Sequence, residues 1–138
     1  MPDTREILEN ARTIAVVGLS RRPTRTSYKV ARYLKQSGYR IVPVNPNAEE
    51  LLGETSWPDL NAVPEDIVID IVDVFRRPQY TADVVRGAIS RRDRTGNEPV
   101  IWTQLGVSTD EAERLAASAG FTYVRNRCTR VEHGRMIS

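Results

Sequence analysis

Short apolar runs alternate with helix-like segments along most of the 138 residues, and this alternation restricts the fold more than any other feature of the sequence. An apolar run without regular polar alternation is typical of a strand that is covered on both faces. Five such runs predict strands at residues 13–18, 39–46, 67–75, 99–106 and 121–124. Because helical segments separate these runs, we expect an α/β fold with an open, mainly parallel five-stranded sheet and helices on both faces.

Four segments before or between these strands have the spacing of apolar residues that is typical of helices. Asp3 or Thr4 is expected to cap the first of them, and Pro78 to begin the third. The predicted helices span about residues 4–12, 27–37, 79–91 and 109–119. Residues 49–66 predict a short turn or helix and a loop. Pro43 cannot donate to a ladder, so it should lie near a strand end or at an irregularity.

Composition excludes several classes of protein. The longest apolar run, residues 67–75, is interrupted by Asp70 and Asp73 and is far shorter than the roughly 20 residues that span a bilayer, so no membrane partner is expected. The first eleven residues are polar and acidic, unlike a signal peptide. The single cysteine, Cys128, cannot form an intrachain disulfide, which favours a cytoplasmic location. The net charge is +2, the arginines are scattered and the aromatics are few, so we expect no nucleic-acid partner.

The junction between the first predicted strand and its helix has the sequence "GLSRRPTRTS". The dinucleotide fingerprint G-x-G-x-x-G is missing, and Gly18 alone marks the turn. Guanidinium and hydroxyl groups come from Ser20, Arg21, Arg22, Arg25 and Ser27. The helix N-terminus adds free N–H groups and a partial positive charge, and the arginine fork suits phosphate. This junction therefore predicts an anion site.

The second strand ends in "VNPN", where NAD-binding proteins usually carry an acidic residue for the ribose 2′-hydroxyl. Asn45 and Asn47 can still hydrogen-bond a ribose or a base, but neither is a carboxylate. Because both NAD-binding features are absent, a nicotinamide-dependent enzyme is disfavoured.

The third and fourth strand ends offer further candidates. At the third, Val74 and Phe75 can wall a flat ring, and Arg76 and Arg77 either reach a phosphate or face solvent. The preceding Asp73 is expected to turn a loop through backbone N–H groups. The fourth strand end supplies Trp102, which suits either a core or a ligand contact, and then Gln104 and Gly106, which are better placed for a ligand.

Five segments together resemble a known family. The segments "VVGLSRRPTRTSYKVARYL", "IVPVNP", "DVFRRP", "IWTQLG" and "NRCTRVEH" are similar to those of the small stand-alone CoA-binding domain proteins of bacteria. These proteins are in turn similar to the N-terminal CoA-binding domain of the succinyl-CoA synthetase α subunit. The resemblance covers residues 13–137 and implies a Rossmann-like fold, one domain over residues 1–138, and coenzyme A bound along the carboxyl ends of the strands.

The resemblance also implies which residues bind the phosphates. Gly18 and Ser20 match the first turn of the family, where the backbone and a hydroxyl meet the pyrophosphate. Arg22, Arg25 and Ser27 match the basic loop around the phosphates. Coenzyme A carries a 3′-phosphate besides its pyrophosphate, so an arginine-rich loop beside a neutral "NPN" suits it better than it suits NAD.

Other positions are implied to contact the rest of coenzyme A. Those beside the adenosine or packed on the nucleotide are Asn45, Pro46, Val74, Phe75 and Arg76. Trp102 and Gln104 match the turn near the pantetheine arm. Asn126 stands where the family is expected to have an acidic residue, so no functional role is carried over from the family to residues 126–128.

No catalytic or metal-binding residue is expected. The phosphorylated histidine of succinyl-CoA synthetase belongs to a part of that subunit which this chain lacks. Spacing alone does not make a nucleophilic pair of Cys128 and His133, and one cysteine and one histidine are too few soft ligands for zinc. We therefore expect non-catalytic binding of coenzyme A or acyl-CoA by a carrier, sensor or regulatory module. The alternatives are an NAD(P) oxidoreductase, an acyl-CoA transferase acting through Cys128, and a protein-binding module without a ligand.

Overall fold

The computed structural model describes residues 2–137. The helices are α1 (Thr4–Asn10), α2 (Thr26–Gln36), α3 (Pro78–Thr95), α4 (Asp110–Ser118) and α5 (Thr129–Ile137). The strands are β1 (Thr13–Val17), β2 (Arg40–Val44), β3 (Glu50–Leu51), β4 (Glu54–Thr55), β5 (Ile71–Val74), β6 (Val100–Thr103) and β7 (Tyr123–Val124). A 3₁₀ turn spans Leu60–Ala62.

Five strands form one sheet in the order β2-β1-β5-β6-β7, and each neighbouring pair is parallel. The chain leaves β1 for β2 on one side and returns to β5 on the other, so strand order reverses at β1. A crevice opens at such a reversal, beyond the carboxyl ends of the strands. The predicted five-stranded α/β architecture is therefore confirmed, and the carboxyl ends of β1, β2 and β5 are the place to search for a ligand site.

The sheet is covered on both faces, as the apolar runs predict. One core packs α3 and α4 on the sheet through residues such as Val85 and Ala112. The other packs α1, α2 and α5 through residues such as Leu8 and Leu34. All five residues of β1 are buried, which explains its unbroken apolar sequence.

Several elements differ from the sequence predictions. The strand predicted at residues 67–75 begins only at Ile71, because side chains bind the backbone before it: Asn97 bonds both the N–H and the carbonyl of Ile69. The helix predicted to end at Arg91 continues to Thr95, where Gly96 caps it with a φ of 78°. Helix α5 and the β3–β4 hairpin are not predicted by the sequence pattern.

No helix within residues 2–137 has the length and apolar composition needed to cross a membrane.

Candidate ligand-binding site

A cavity of about 580 Å³ lies at the carboxyl ends of β1, β2 and β5. The loops after these three strands and the first turns of α2 and α3 enclose it. Its lining is Gly18, Ser20, Arg22, Arg25, Thr26, Ser27, Asn45, Pro46, Asn47, Phe75, Arg76, Arg77 and Tyr80. We call this space the phosphate cleft. Nine of the twelve residues that the family resemblance assigns to ligand binding are in its lining.

Gly18 allows two of these loops to approach each other closely. Its φ is +88°, in the region that side chains rarely adopt, and its N–H donates to the Val44 carbonyl over 2.9 Å. A Cβ at this position would lie 3.0 Å from the carbonyl oxygen of Phe75. The turn after β1 therefore requires glycine both for its backbone conformation and for its contact with the loop after β5.

Hydrogen bonds within the loop after β1 set its shape. The Ser20 N–H donates to Ser27 Oγ over 2.9 Å, and the Arg22 N–H donates to Ser20 Oγ over 3.0 Å. These hydroxyls accept from the loop backbone, and their own O–H groups remain as donors. The two serines thus hold the exposed side chains of Arg22 and Arg25 at the rim of the cleft.

Two helix N-termini point at the same cleft. No side chain caps α2 at Arg25 or α3 at Arg77. The first backbone N–H groups of a helix have no partner within the helix, and they carry a partial positive charge. Both termini therefore favour a negatively charged ligand.

Asn45 joins the loop after β2 to the loop after β1. Its Nδ2 donates to the Leu19 carbonyl over 2.9 Å, and its Oδ1 accepts from the Asn47 N–H over 2.7 Å. Most of the hydrogen-bonding capacity of this amide is therefore used to fix the loops, whereas Pro46 and Asn47 remain exposed at the cavity.

The charge of the cleft is one-sided. Arg22, Arg25, Arg76 and Arg77 line it, and no aspartate or glutamate of residues 2–137 does. Within that range, none of these four arginines belongs to an ion pair. Unpaired guanidinium groups around a carboxylate-free cavity make an anion site.

Val74, Trp102 and Gln104 do not lie at the cleft, although the sequence makes them candidates. Val74 and Trp102 are fully buried in the two cores, and the Trp102 indole N–H donates to the Arg127 carbonyl over 2.9 Å. Gln104 is 5% exposed, and its Nε2 donates to Asp73 Oδ1 over 2.7 Å and to Thr129 Oγ1 over 3.0 Å. In this structure Val74 and Trp102 pack in the cores, and Gln104 links the sheet to Thr129 at the start of α5.

Asp73 also differs from its sequence interpretation. It turns no loop; it is a residue of β5 with no exposed surface, and Thr129 Oγ1 donates to its Oδ2 over 2.9 Å. Burial raises the pKa of this carboxyl group to about 7, although the hydrogen bonds from Gln104 and Thr129 oppose the rise. The side chain fastens the start of α5 to the sheet.

A second cavity of about 250 Å³ adjoins the phosphate cleft and has a mainly apolar wall. We call it the apolar annex. Its lining is Val17, Gly18, Val44, Pro46, Pro58, Asp59, Leu60, Asn61, Arg76, Tyr80, Asp83, Val84 and Gly87. Gly18, Pro46, Arg76 and Tyr80 line both spaces. Sequence reasoning missed Tyr80, although its position on the first turn of α3, four residues after Arg76, was an available signal.

Two tyrosines hold the side chain of His133. Nδ1 of His133 is hydrogen-bonded to the Tyr33 hydroxyl over 2.8 Å, and its ring makes edge contacts with Tyr33 and Tyr39. Cys128 is partly buried at the start of α5.

Asn126, with a φ of 59°, accepts from the Gly106 N–H over 2.8 Å and so joins two loops. Residues 2–137 contain no group of three or more histidine, cysteine or acidic side chains that could hold a metal.

These features define an α/β protein of the Rossmann-like class with an arginine-lined anion cleft at the reversal of strand order. A family model described as CoA binding domain matches residues 12–134. The chain therefore belongs to the CoA-binding domain family, which confirms the family expected from the sequence.

Relatives and solved structures agree with this membership. The chain is 37% identical over 131 residues to the uncharacterized protein YneT of Bacillus subtilis (strain 168), covering 95% of this chain and 92% of that protein. It is 32% identical over 93 residues to the ADP-forming acetate–CoA ligase II of Archaeoglobus fulgidus, covering 64% of this chain but only 14% of the ligase. A solved structure of a hypothetical protein from Pyrococcus horikoshii OT3 has a TM-score of 0.90 at 38% identity, covering 99% of this chain and 91% of that one.

The same fold occurs within a larger enzyme. The dinucleotide-forming acetyl-coenzyme A synthetase 1 of Ca. Korarchaeum cryptofilum has a TM-score of 0.72 at 22% identity, covering 91% of this chain and 28% of that chain.

Proposed function

We propose that the chain binds coenzyme A or an acyl-CoA at the carboxyl edge of its sheet, with the phosphates in the phosphate cleft. The observation that carries this proposal is the set of four arginines that, within residues 2–137, belong to no ion pair and surround a cavity lined by no carboxylate. Coenzyme A brings a pyrophosphate and a 3′-phosphate, more negative charge than NAD brings. Membership in the CoA-binding domain family supports the same ligand class.

The two cavities differ in charge, which gives the ligand an orientation. Arg22 and Arg25 line only the phosphate cleft, whereas Asp59 and Asp83 line only the apolar annex. Carboxylates disfavour phosphate, so the phosphates bind in the cleft, and the mainly apolar annex takes the adenine ring. Pro46, which lines both cavities, then lies beside the nucleoside, and Phe75 borders the phosphate cleft.

The ligand is bound but not chemically converted. The chain is a single domain that acts as a carrier, a sensor or a regulatory module. Support comes from the His133 side chain, which is hydrogen-bonded to Tyr33, and from the lining of the phosphate cleft, which among the described residues contains no carboxylate or thiol. A small-molecule ligand is the principal partner in this proposal.

A thermal-shift panel of coenzyme A, acetyl-CoA, dephospho-CoA, NAD, NADP and ATP tests the ligand. At about 1,000 times Kd, a ligand of the folded state adds about 4 kcal/mol to the free energy of unfolding, so we expect a clear rise in Tm with coenzyme A. Dephospho-CoA lacks only the 3′-phosphate, and we expect it to bind about tenfold more weakly, because one charge-assisted contact is lost. A chain that responds to NAD but not to coenzyme A would contradict the proposal.

The double variant Arg22→Ala/Arg25→Ala tests the location of the phosphates. Because each guanidinium contact to an ionised group contributes about 1.5–3 kcal/mol, we expect the affinity for coenzyme A to fall by about 100-fold or more. Titration calorimetry measures the change. Arg114→Ala is the matched control, since it removes an exposed arginine of α4 outside the cavity lining. Equal affinities of the double variant and this control would place the phosphates elsewhere.

A further inference from the structure

The wall between the phosphate cleft and the apolar annex contains an arginine stacked on a tyrosine. The guanidinium carbon of Arg76 lies 4.6 Å from the centroid of the Tyr80 ring. Both side chains line both cavities. Tyr80 is 40% exposed, so its ring is accessible from the cavities. The pair therefore stands where a ligand that enters both cavities must pass.

The Arg76 side chain reaches this position across Gly18. A Cβ on Gly18 would lie 3.2 Å from Cδ of Arg76, so the arginine stem passes over a residue that has no side chain. Within residues 2–137 the guanidinium belongs to no ion pair, and its stacking on Tyr80 is its one aromatic contact. The charged group is thus held by a contact that is weak at an exposed site.

A phosphate offers the guanidinium a stronger partner than the tyrosine ring does. Charge-assisted hydrogen bonds to phosphate oxygens exceed an exposed cation–π contact in strength. A phosphate in the cleft therefore draws Arg76 off the Tyr80 ring. Because Tyr80 also lines the apolar annex, a flat base in the annex can stack on the ring once Arg76 has left it.

We propose that Arg76 and Tyr80 act together as a selector, in which a phosphate must engage Arg76 before an aromatic base can stack on Tyr80. This inference rests on the proposed binding of coenzyme A and assigns the specificity of that site to two named side chains. A ligand with a base but no phosphate competes with Arg76 for the ring and binds poorly. A ligand with phosphate but no base gains nothing from Tyr80.

Three variants and three probes test the selector by titration calorimetry: Tyr80→Ala, Tyr80→Phe and Arg76→Ala with coenzyme A, inorganic pyrophosphate and adenosine. We expect Tyr80→Ala to lower the affinity for coenzyme A by about tenfold, since stacking of a base is lost. The affinity for pyrophosphate should change by less than about twofold. Tyr80→Phe keeps the ring and should restore most of the affinity for coenzyme A. Val131→Ala, an exposed position on α5, is the control for truncation of a surface side chain.

The response of adenosine to Arg76→Ala separates a selector from a merely structural contact. Removal of the guanidinium frees the Tyr80 ring, so we expect adenosine to bind about threefold more tightly while coenzyme A binds about tenfold more weakly. Circular dichroism confirms that each variant is folded. Weaker binding of adenosine to Arg76→Ala would overturn the selector.

The wild-type chain distinguishes failure of this inference from failure of the proposed function. If coenzyme A binds the wild type and binds Tyr80→Ala equally well, the selector is wrong and the coenzyme A site stands. If coenzyme A does not bind the wild type at all, the proposed function and the selector are both overturned.

Discussion

Replacement of Arg91 by methionine is expected to lower the free energy of unfolding by about 4 kcal/mol. Arg91 is 2% exposed on α3, and its two terminal nitrogens donate to the carbonyls of Leu60, Val63, Pro64 and Ile67. Methionine fills a similar volume but leaves the Val63 and Ile67 carbonyls without a donor, whereas the Leu60 and Pro64 carbonyls each still accept from a backbone N–H. Each buried carbonyl that loses its partner costs about 1–3 kcal/mol, and the removal of a buried cation offsets part of that cost.

Urea denaturation at pH 7 measures the loss, and Arg86→Met on the same helix is the matched control. The Arg86 side chain is 52% exposed and pairs with Asp83, so we expect its replacement to change the free energy of unfolding by less than about 1 kcal/mol. Leu60 also lines the apolar annex, so Arg91→Met should weaken the binding of coenzyme A as well. A variant as stable as the control would show that the loop from residue 60 to residue 67 is held by other contacts.

The sheet was predictable from sequence because its strands are local and buried. A strand covered on both faces needs an unbroken apolar run, and each such run can be recognised without knowledge of its neighbours. Pro43 shows the same local logic: it is the second-to-last residue of β2, an edge strand, where a missing N–H is tolerated.

Helix α5 was not predictable because long-range contacts stabilise it. Its sequence, TRVEHGRMI, has a central glycine and no continuous apolar stripe. It docks through Thr129 to Asp73, through Glu132 to Thr4 and through His133 to Tyr33. These partners are separated by 56, 128 and 100 residues, and no local pattern reveals them.

The candidate site was predictable only as far as its glycine turn and its charges. Parallel topology places every strand end at one edge, so the loops after β1, β2 and β5 could be assigned to one site before the structure was known. Whether a residue that follows a strand is buried or faces the cavity cannot be predicted from the sequence in the same way. Gln104 follows β6 in the sequence, yet it is buried by partners that lie 31 and 25 residues away.

Replacement of Asp73 by asparagine is expected to remove the pH dependence that this carboxyl group imposes on stability. The folded-state pKa of Asp73 is raised to about 7 by burial, above its ordinary value of 3.8. The folded chain therefore binds the proton more tightly than the unfolded chain does. The wild type has its full stability from this group below about pH 4 and loses that contribution as the pH rises toward 7. A rise from 3.8 to about 7 corresponds to about 4 kcal/mol, so Asp73→Asn should exceed the wild type by up to about that amount at pH 8.

The measured quantity is the difference in free energy of unfolding between variant and wild type, by urea denaturation from pH 4 to pH 8. Asparagine keeps the shape of the side chain: its oxygen can accept from Gln104, and its amide can donate to Thr129 Oγ1. The difference should therefore be small at pH 4, where Asp73 is protonated, and grow in favour of the variant as the pH rises. Asp66→Asn removes the same charge from an exposed position, and its difference should stay within about 0.5 kcal/mol. A constant difference for Asp73→Asn across this range would mean that Asp73 titrates alike in the folded and unfolded chains, because only a proton affinity that changes on folding makes stability depend on pH.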